Sequence, residues 1–174
     1  MESIVYDQQF NSNELYVITL MTVGFTFYRL LPRTLSPLQT IFNMLISVTS
    51  GLMFDHTIAI PPFDLYDVGD KSSYEFFDLI SYLMYAPYGY MYIYGFERFR
   101  ISGIVTVGYI LAWAVIALLF EWVGVKCGVF HYKHGYYILY SIPIYLVVLS
   151  IQLGAYRAAF SSHRWQKIKE PHPD

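Results

Sequence analysis

Long apolar runs, separated by short polar or proline-containing segments, divide the sequence into stretches of helix length. A helix rises about 1.5 Å per residue, so about 20 residues cross a hydrocarbon layer of about 30 Å. The runs cover residues 14–31, 38–60, 75–96, 101–123 and 136–160. This pattern predicts an all-α, polytopic membrane helix bundle of about five transmembrane helices, forming one domain over 1–160. Residues 161–174 are expected to be a cytoplasmic tail, basic at first and then polar.

Prolines mark several of the predicted boundaries. Ser36-Pro37 begins the second run and Pro61-Pro62 ends it, because proline is tolerated in the first turn of a helix and breaks one elsewhere. Pro87 lies inside the third run, where we expect it to bend the helix and free the carbonyl of Leu83. The polar segment 63–74 and the short segment 126–135 are predicted to be connections.

The distribution of basic residues gives the predicted orientation. Lysine and arginine accumulate on the cytoplasmic side of membrane proteins. Eight of them lie in the last residues of the first, third and fifth runs or directly after these runs, which five crossings place on one side: Arg29, Arg33, Arg98, Arg100, Arg157, Arg164, Lys167 and Lys169. The opposite side receives the acidic N-terminal segment and an Asp-rich connection. The expected topology therefore has the N-terminus outside and the C-terminus inside.

The composition agrees with a membrane protein. Of the 174 residues, 56% are hydrophobic and 14% are charged, whereas charged residues make up about 25% of soluble domains. A formal net charge of -2 argues against nucleic-acid binding, which favours a basic patch. We expect the partners to be the lipid bilayer and either another membrane protein or a second copy of the chain. The lone Cys127 cannot form a disulfide within the chain.

Polar residues recur at spacings of three and four within the apolar runs, which places them on one face of each helix. Polar groups facing lipid are costly, so these faces are predicted to point into the bundle. Two interpretations remain open: hydrogen bonding between closely packed helices, or the lining of a cavity that holds water or a ligand. The predicted interior residues are Asn43, Ser47, Ser50, Tyr82, Tyr85, Tyr92, Tyr145 and Gln152.

Carboxylates and imidazoles accumulate near the predicted outer membrane face. Such ligands can hold a divalent metal, but their spacing matches neither an HExxH motif nor an EF-hand loop. The alternative interpretation is that they cap helices and face solvent. We therefore predict no cofactor, with a divalent metal as the open alternative. The candidate ligand or metal residues are Asp55, His56, Asp64, Asp67, Glu75, Asp78, Glu121, His131 and His134, with Asp70 beside them.

Sequence motifs of catalysis are absent: the chain has no GxSxG elbow, Gly-rich phosphate loop or haem-attachment motif. The leading hypothesis is a non-enzymatic membrane protein that binds a membrane partner or a small ligand at its outer face. A second hypothesis is a small metal-dependent membrane enzyme that uses Asp55, His56, Glu121 and His131. A third is a transporter or channel subunit formed by oligomerisation around the polar faces.

Two segments carry a family resemblance. Residues 120–149 contain the pair Glu121-Trp122 at the end of a span, then FxYxxG in a short connection, then a last span. Together with residues 63–97, this order resembles a family of small multi-pass membrane proteins of unknown function in Bacilli and Clostridia. That family has tryptophan after the glycine, where this chain has Tyr136. The resemblance implies a Gram-positive cytoplasmic-membrane protein without an assigned reaction.

Overall fold

A computed structural model describes residues 10–69 and 81–169, the last nine by their backbone alone. Two short strands in these residues, β1 (Tyr66–Val68) and β2 (Phe130–Tyr132), pair antiparallel. Most of the described chain is helical, as predicted, and its α-helices are α1 (Ser12–Leu30), α2 (Pro37–Asp55), α3 (Tyr85–Arg98), α4 (Val105–Lys126) and α5 (Ser141–Lys169). Single 3-10 turns, Tyr82–Met84 and Ile138–Tyr140, lead into α3 and α5.

Within the described residues, three helical segments are long and apolar enough to cross a membrane: α2, α4 and Ile138–Phe160. They correspond to the second, fourth and fifth predicted runs. The first run forms α1, which has 19 residues but is not among the three. The third run gives α3, which has only 14 residues, and the predicted start of that run at residue 75 lies outside the described residues.

Apolar side chains of these long helices face outwards and polar ones face inwards. Leu119 on α4 is 58% exposed and Ile151 on α5 is 57% exposed. On the same two helices, Glu121 is only 7% exposed and Gln152 only 2%. A soluble helix shows the opposite arrangement, with its apolar stripe on the core. The outer surface of the bundle is therefore suited to lipid.

The ends of α2 show why the predicted boundaries were only partly right. The helix starts at Pro37, where the Ser36-Pro37 pair predicts it. Ser36 also caps this start, with its Oγ accepting from Gln39 N at 3.2 Å and Gln39 Oε1 accepting from Ser36 N at 2.8 Å. The helix ends at Asp55 rather than at residue 60. His56 Nδ1 lies 2.8 Å from Leu52 O, and Thr57 Oγ1 donates to a carbonyl of the last turn at 2.7 Å. Such side chains satisfy the terminal carbonyls and end the helix early.

Helix α3 forms the centre of the bundle, and nine of its 14 residues are buried. Pro87 lies in the first turn of α3, and the described residues directly before α3 are also helical, at Ser81 and in the 3-10 turn. Whether Pro87 bends a longer helix stays a prediction, because that helix would begin outside the described residues. Gly89 follows, and a Cβ atom added there would lie 2.6 Å from the Cβ of Ser47 and 2.9 Å from Asn43 O. Gly89 therefore permits the close approach of α2 and α3.

Contacts between distant residues show that successive helices alternate in direction. Tyr16, near the start of α1, donates to Phe120 O, near the end of α4, at 2.6 Å. At the opposite end of the bundle, the guanidinium of Arg157 on α5 lies 4.8 Å from the centre of the Phe96 ring. The end of the bundle with the contact between Tyr16 and Phe120 is called the acidic end, and it carries Asp55, Asp64, Asp67 and Glu121. The end with the contact between Arg157 and Phe96 is called the basic end, and it carries Arg29, Arg33, Arg98, Arg100 and Arg157.

Candidate functional site

Strands β1 and β2 join the two connections at the acidic end into a two-stranded clip. Their register pairs Tyr66 with Tyr132, Asp67 with His131 and Val68 with Phe130. The ladder continues on both sides, because Lys133 N donates to Leu65 O at 2.8 Å and Gly69 N donates to Val129 O at 3.0 Å. The sequence patterns predicted both segments only as connections. Pairing them brings together candidate residues that lie about 65 positions apart.

One lysine occupies the middle of the acidic residues of the clip. Lys133 Nζ lies 2.7 Å from Asp67 Oδ2 and 3.2 Å from Asp64 Oδ1. Partial burial alone lowers the pKa of Lys133, but the two carboxylates outweigh this effect and raise it above the ordinary value. The imidazole of His134 lies outside this pair, with its Nδ1 2.7 Å from Asp64 O and 3.9 Å from Asp64 Oδ2. These contacts are those of a charge-paired structural element.

The proposed metal ligands do not assemble within the part of the chain that the structure describes. No group of three or more His, Cys, Asp or Glu side chains in residues 10–69 and 81–160 is placed to hold a metal ion. His56 is exposed and contacts the end of its own helix, while His131 lies in β2 opposite Asp67. Three other predicted candidates, Asp70, Glu75 and Asp78, lie outside the described residues.

Two buried carboxyl groups lie beneath the clip, Asp55 at the end of α2 and Glu121 on α4, and the two cross-strand tyrosines of the clip donate hydrogen bonds to them. Tyr66 donates to Asp55 Oδ1 at 2.6 Å, and Tyr132 donates to Glu121 Oε1 at 2.6 Å. Burial, together with the adjacent carboxyl group, raises the pKa of each tyrosine well above its ordinary value. Both hydroxyls therefore stay protonated and donate. The clip thus links the end of α2 to the last turns of α4.

A cavity of about 230 Å³ lies beneath the clip and extends into the bundle between α1, α2, α3, α4 and α5. Asp55 and Glu121 line it at the acidic end, and Gln152 lines it deeper in the bundle. Twelve of its 28 lining residues are aromatic, so its wall is mainly apolar with hydroxyl groups at intervals. They are Tyr16, Phe54, Tyr66, Tyr85, Tyr88, Tyr92, Trp113, Phe120, Phe130, Tyr132, Tyr136 and Tyr145.

The inner part of the cavity is held together by a polar cluster around Gln152. Its Nε2 donates to Gly89 O at 3.1 Å and to Asn43 O at 3.4 Å, and its Oε1 accepts from Ser47 Oγ at 3.3 Å. These bonds tie α5 to α2 and α3. Buried amide groups need such partners, because unsatisfied ones cost free energy in an apolar interior.

All but one of the remaining predicted interior residues line the same cavity. Ser50, Tyr85, Tyr92 and Tyr145 line it, and Tyr92 also donates to Leu149 O at 3.2 Å. Tyr82 is buried in the 3-10 turn before α3. Each interpretation of the polar faces therefore describes some of the polar atoms. Some atoms form hydrogen bonds between helices, and others face the cavity.

Several residues of the site were not among the sequence candidates. Ser141 donates to Glu121 Oε1 at 2.6 Å, and Tyr132 and Tyr66 hold the two inward carboxyl groups. Ser141 does have a signal in the sequence, because its spacing places it on the predicted polar face of the fifth run with Tyr145 and Gln152. For Tyr66 and Tyr132 the only signal is the aromatic and β-branched content of segments 65–68 and 129–132, which favours short strands. Nothing in the sequence alone shows that these two segments pair.

The chain was compared with protein-family models, curated proteins and solved structures. None of them matches. The cavity and the clip above it are therefore the features that bear on function.

Proposed function

We propose that the protein is a non-enzymatic membrane protein that binds a small, largely apolar ligand in the cavity beneath the clip. The observation that carries this proposal is the aromatic wall of the cavity, interrupted by a few inward polar groups. Ligand sites are commonly concave, mainly apolar and provided with a small number of placed polar groups. An apolar cavity of about 150 Å³ accommodates a benzene molecule. The present cavity therefore suits a ligand on the order of ten non-hydrogen atoms.

Five helices cross the cytoplasmic membrane in this proposal, with the clip outside and the basic end inside. The three long apolar helices support a membrane location, and the alternating directions of α1 to α5 support five crossings. The separation of basic from acidic residues between the two ends supports the orientation. Membership of the Bacilli and Clostridia family of multi-pass proteins stays a prediction from the resemblance.

Two exposed threonines at opposite ends of the bundle test this topology. In a Cys127→Ser background, we expect Thr57→Cys at the acidic end to react with a membrane-impermeant maleimide on intact cells. Thr34→Cys at the basic end should react only after the membrane is permeabilised. Labelling of both from the same side would contradict an alternating bundle of five crossings, and the reversed pattern would contradict the orientation.

Ligand binding can be followed through Trp113, which lines the cavity. We expect 4-bromophenethyl alcohol to quench its fluorescence saturably in the purified protein, because bromine quenches an indole only at short range. Ala117 lines the cavity, and Ala117→Phe would fill part of it. The Ala117→Phe substitution should raise the dissociation constant of the ligand about tenfold or more, which corresponds to a loss of about 1.4 kcal/mol of binding free energy.

Val115→Phe is the matched control, since it adds phenylalanine to the same helix at an outward position that is 55% exposed. It should leave saturable quenching unchanged. Trp113→Phe should remove the saturable signal and leave only the linear background from ligand dissolved in the micelle. Equal quenching in the Ala117→Phe and Val115→Phe proteins would refute binding in the cavity.

A further inference from the structure

Glu121 has one carboxylate oxygen that the described part of the protein does not satisfy. Its Oε1 accepts from Tyr132 and from Ser141, both at 2.6 Å. Its Oε2 is buried and accepts no hydrogen bond in the described residues. The hydroxyl of Tyr145 lies near the carboxylate without forming a hydrogen bond of good geometry to Oε2.

A buried oxygen without a donor is costly, because the free energy of its lost hydration is not recovered. Such atoms are rare in folded proteins and call for an explanation in each case. Glu121 is 7% exposed and lines the cavity. The missing donor can therefore come from a molecule that occupies the cavity.

The charges around the cavity indicate which kind of donor fits. Two acidic side chains, Asp55 and Glu121, belong to the lining, and no lysine, arginine or histidine is found among the described residues that form it. Tyr85 lies close enough to both carboxyl groups to interact electrostatically with each. A cationic group in the cavity would meet acceptors without a competing positive charge. An anionic group would meet repulsion.

Aromatic faces supply a second source of attraction for a cation. The faces of tyrosine and tryptophan attract ammonium groups, most strongly where water is excluded. Tyr132 donates to Glu121 Oε1, and Tyr85 and Tyr145 also interact with this carboxylate, so three aromatic side chains lie near the group whose Oε2 lacks a donor. Aromatic rings alone would bind a quaternary ammonium equally well, whereas a vacant acceptor favours an ammonium that carries N–H groups.

We propose that the ligand of the cavity is a small primary amine with an apolar body, whose ammonium group donates a hydrogen bond to Glu121 Oε2. This inference rests on the proposed function, because it names the chemistry of the ligand bound in the same cavity. The apolar body lies among the aromatic residues deeper in the bundle. A charge-assisted hydrogen bond is stronger than one between neutral groups.

Phenethylamine and phenethyl alcohol differ only in the donor group and serve as probes. Calorimetric titration of the purified full chain should give a dissociation constant about tenfold or more lower for the amine. Phenyltrimethylammonium, which has a positive charge but no N–H group, should bind more weakly than phenethylamine. Equal affinity for the amine and the alcohol, or for the amine and the quaternary ammonium, would overturn the assignment.

Glu121→Gln tests the residue while preserving an oxygen that accepts from Tyr132 and Ser141. It should reduce the preference for amine over alcohol towards one, with the affinity for the alcohol maintained. Glu97→Gln removes the same charge at the basic end, outside the cavity, and should retain the preference. The thermal unfolding midpoint of the Glu121→Gln protein should match that of the wild type. If this folded variant still prefers the amine over the alcohol, the proposal is overturned.

The results also separate this proposal from the proposed function. Binding of the amine and the alcohol with equal affinity, blocked in both cases by Ala117→Phe, would leave the binding function intact and refute the amine assignment. Failure of both probes to bind would refute both proposals.

Discussion

Lys133→Met is expected to destabilise the clip more than any other single change at the acidic end. The substitution keeps the length and apolar stem of the side chain but removes the charge between Asp64 and Asp67. Asp67 is only 6% exposed, so its carboxylate would be left buried and facing another carboxylate. Removing one partner of a buried pair costs about 3 to 5 kcal/mol, and we expect about 3 kcal/mol here because Lys133 is partly exposed.

Hydrogen exchange of the clip amides measures this effect locally. The Gly69 and Lys133 amides, which donate to Val129 O and Leu65 O, should exchange faster in the variant. The free energy of unfolding in mixed micelles gives the global effect. Because the pKa of Lys133 is raised in the folded protein, its contribution is complete below the ordinary lysine value of 10.5 and is lost only as the pH rises through the higher folded value. The difference between wild type and variant should thus be constant from about pH 6 to pH 9.

The double variant Lys133→Met/Asp67→Asn controls for the loss of the lysine side chain itself. Replacing the buried carboxylate by an amide should recover most of the lost stability, because the cost arises from the unpaired charge. His134→Ala removes a neighbouring side chain that is 63% exposed and should cost less than about 1 kcal/mol. Equal exchange rates in the Lys133→Met and His134→Ala proteins would contradict the structural role of the ion pairs.

The helices were predictable because hydrophobic length and proline position are local properties of the sequence. Ser36 and Pro37 mark the start of α2 correctly, and the run that begins near residue 101 becomes α4. The end of α2 was misplaced by five residues because His56 and Thr57 bond back to the last turn. Those bonds depend on side-chain geometry, which hydropathy does not record.

The clip could not be predicted, because it depends on pairing segments far apart in the sequence. Each strand has only three residues, which is too short for an alternating pattern to stand out from a loop. The sequence did place Asp55 and Glu121 near the same end of the bundle, but their tyrosine donors follow from the register between β1 and β2. A buried carboxylate oxygen without a donor is likewise visible only once the neighbouring side chains have been placed.

The interior cluster and the clip hold the cavity from opposite ends. Gln152 bonds α5 to the backbone of α2 and α3, whereas Tyr66 and Tyr132 bond the clip to α2 and α4. Hydrogen bonds between membrane helices contribute about 0.6 kcal/mol each on average. The main contribution of these hydrogen bonds is therefore to fix the positions of the helices and of the clip, rather than to add free energy of unfolding. Close packing of the helices has to supply the larger part of the stability.

Gly89→Ala should have the largest effect within the bundle itself. The added Cβ would lie 2.6 Å from Ser47 Cβ and 2.9 Å from Asn43 O, so α2 and α3 must move apart. The movement also strains the bond from Gln152 to Gly89 O. Overpacking of this kind costs about 1 to 3 kcal/mol, and we expect the upper part of that range because backbone atoms cannot rotate away. Reversible unfolding in mixed micelles should measure the loss of free energy.

Gly154→Ala is the matched control, because Gly154 is also a helical glycine but an added Cβ meets nothing within 4 Å. It should be neutral or stabilising by up to about 1 kcal/mol, since alanine favours a helix over glycine. Ser47→Gly removes the side chain that the new methyl group meets, so the double variant Gly89→Ala/Ser47→Gly should regain part of the stability. Because Gly89 and Ser47 both line the cavity, ligand binding should fall in the single variant and recover with the double one. Equal stability of Gly89→Ala and Gly154→Ala would show that α2 and α3 do not pack as closely as the structure describes.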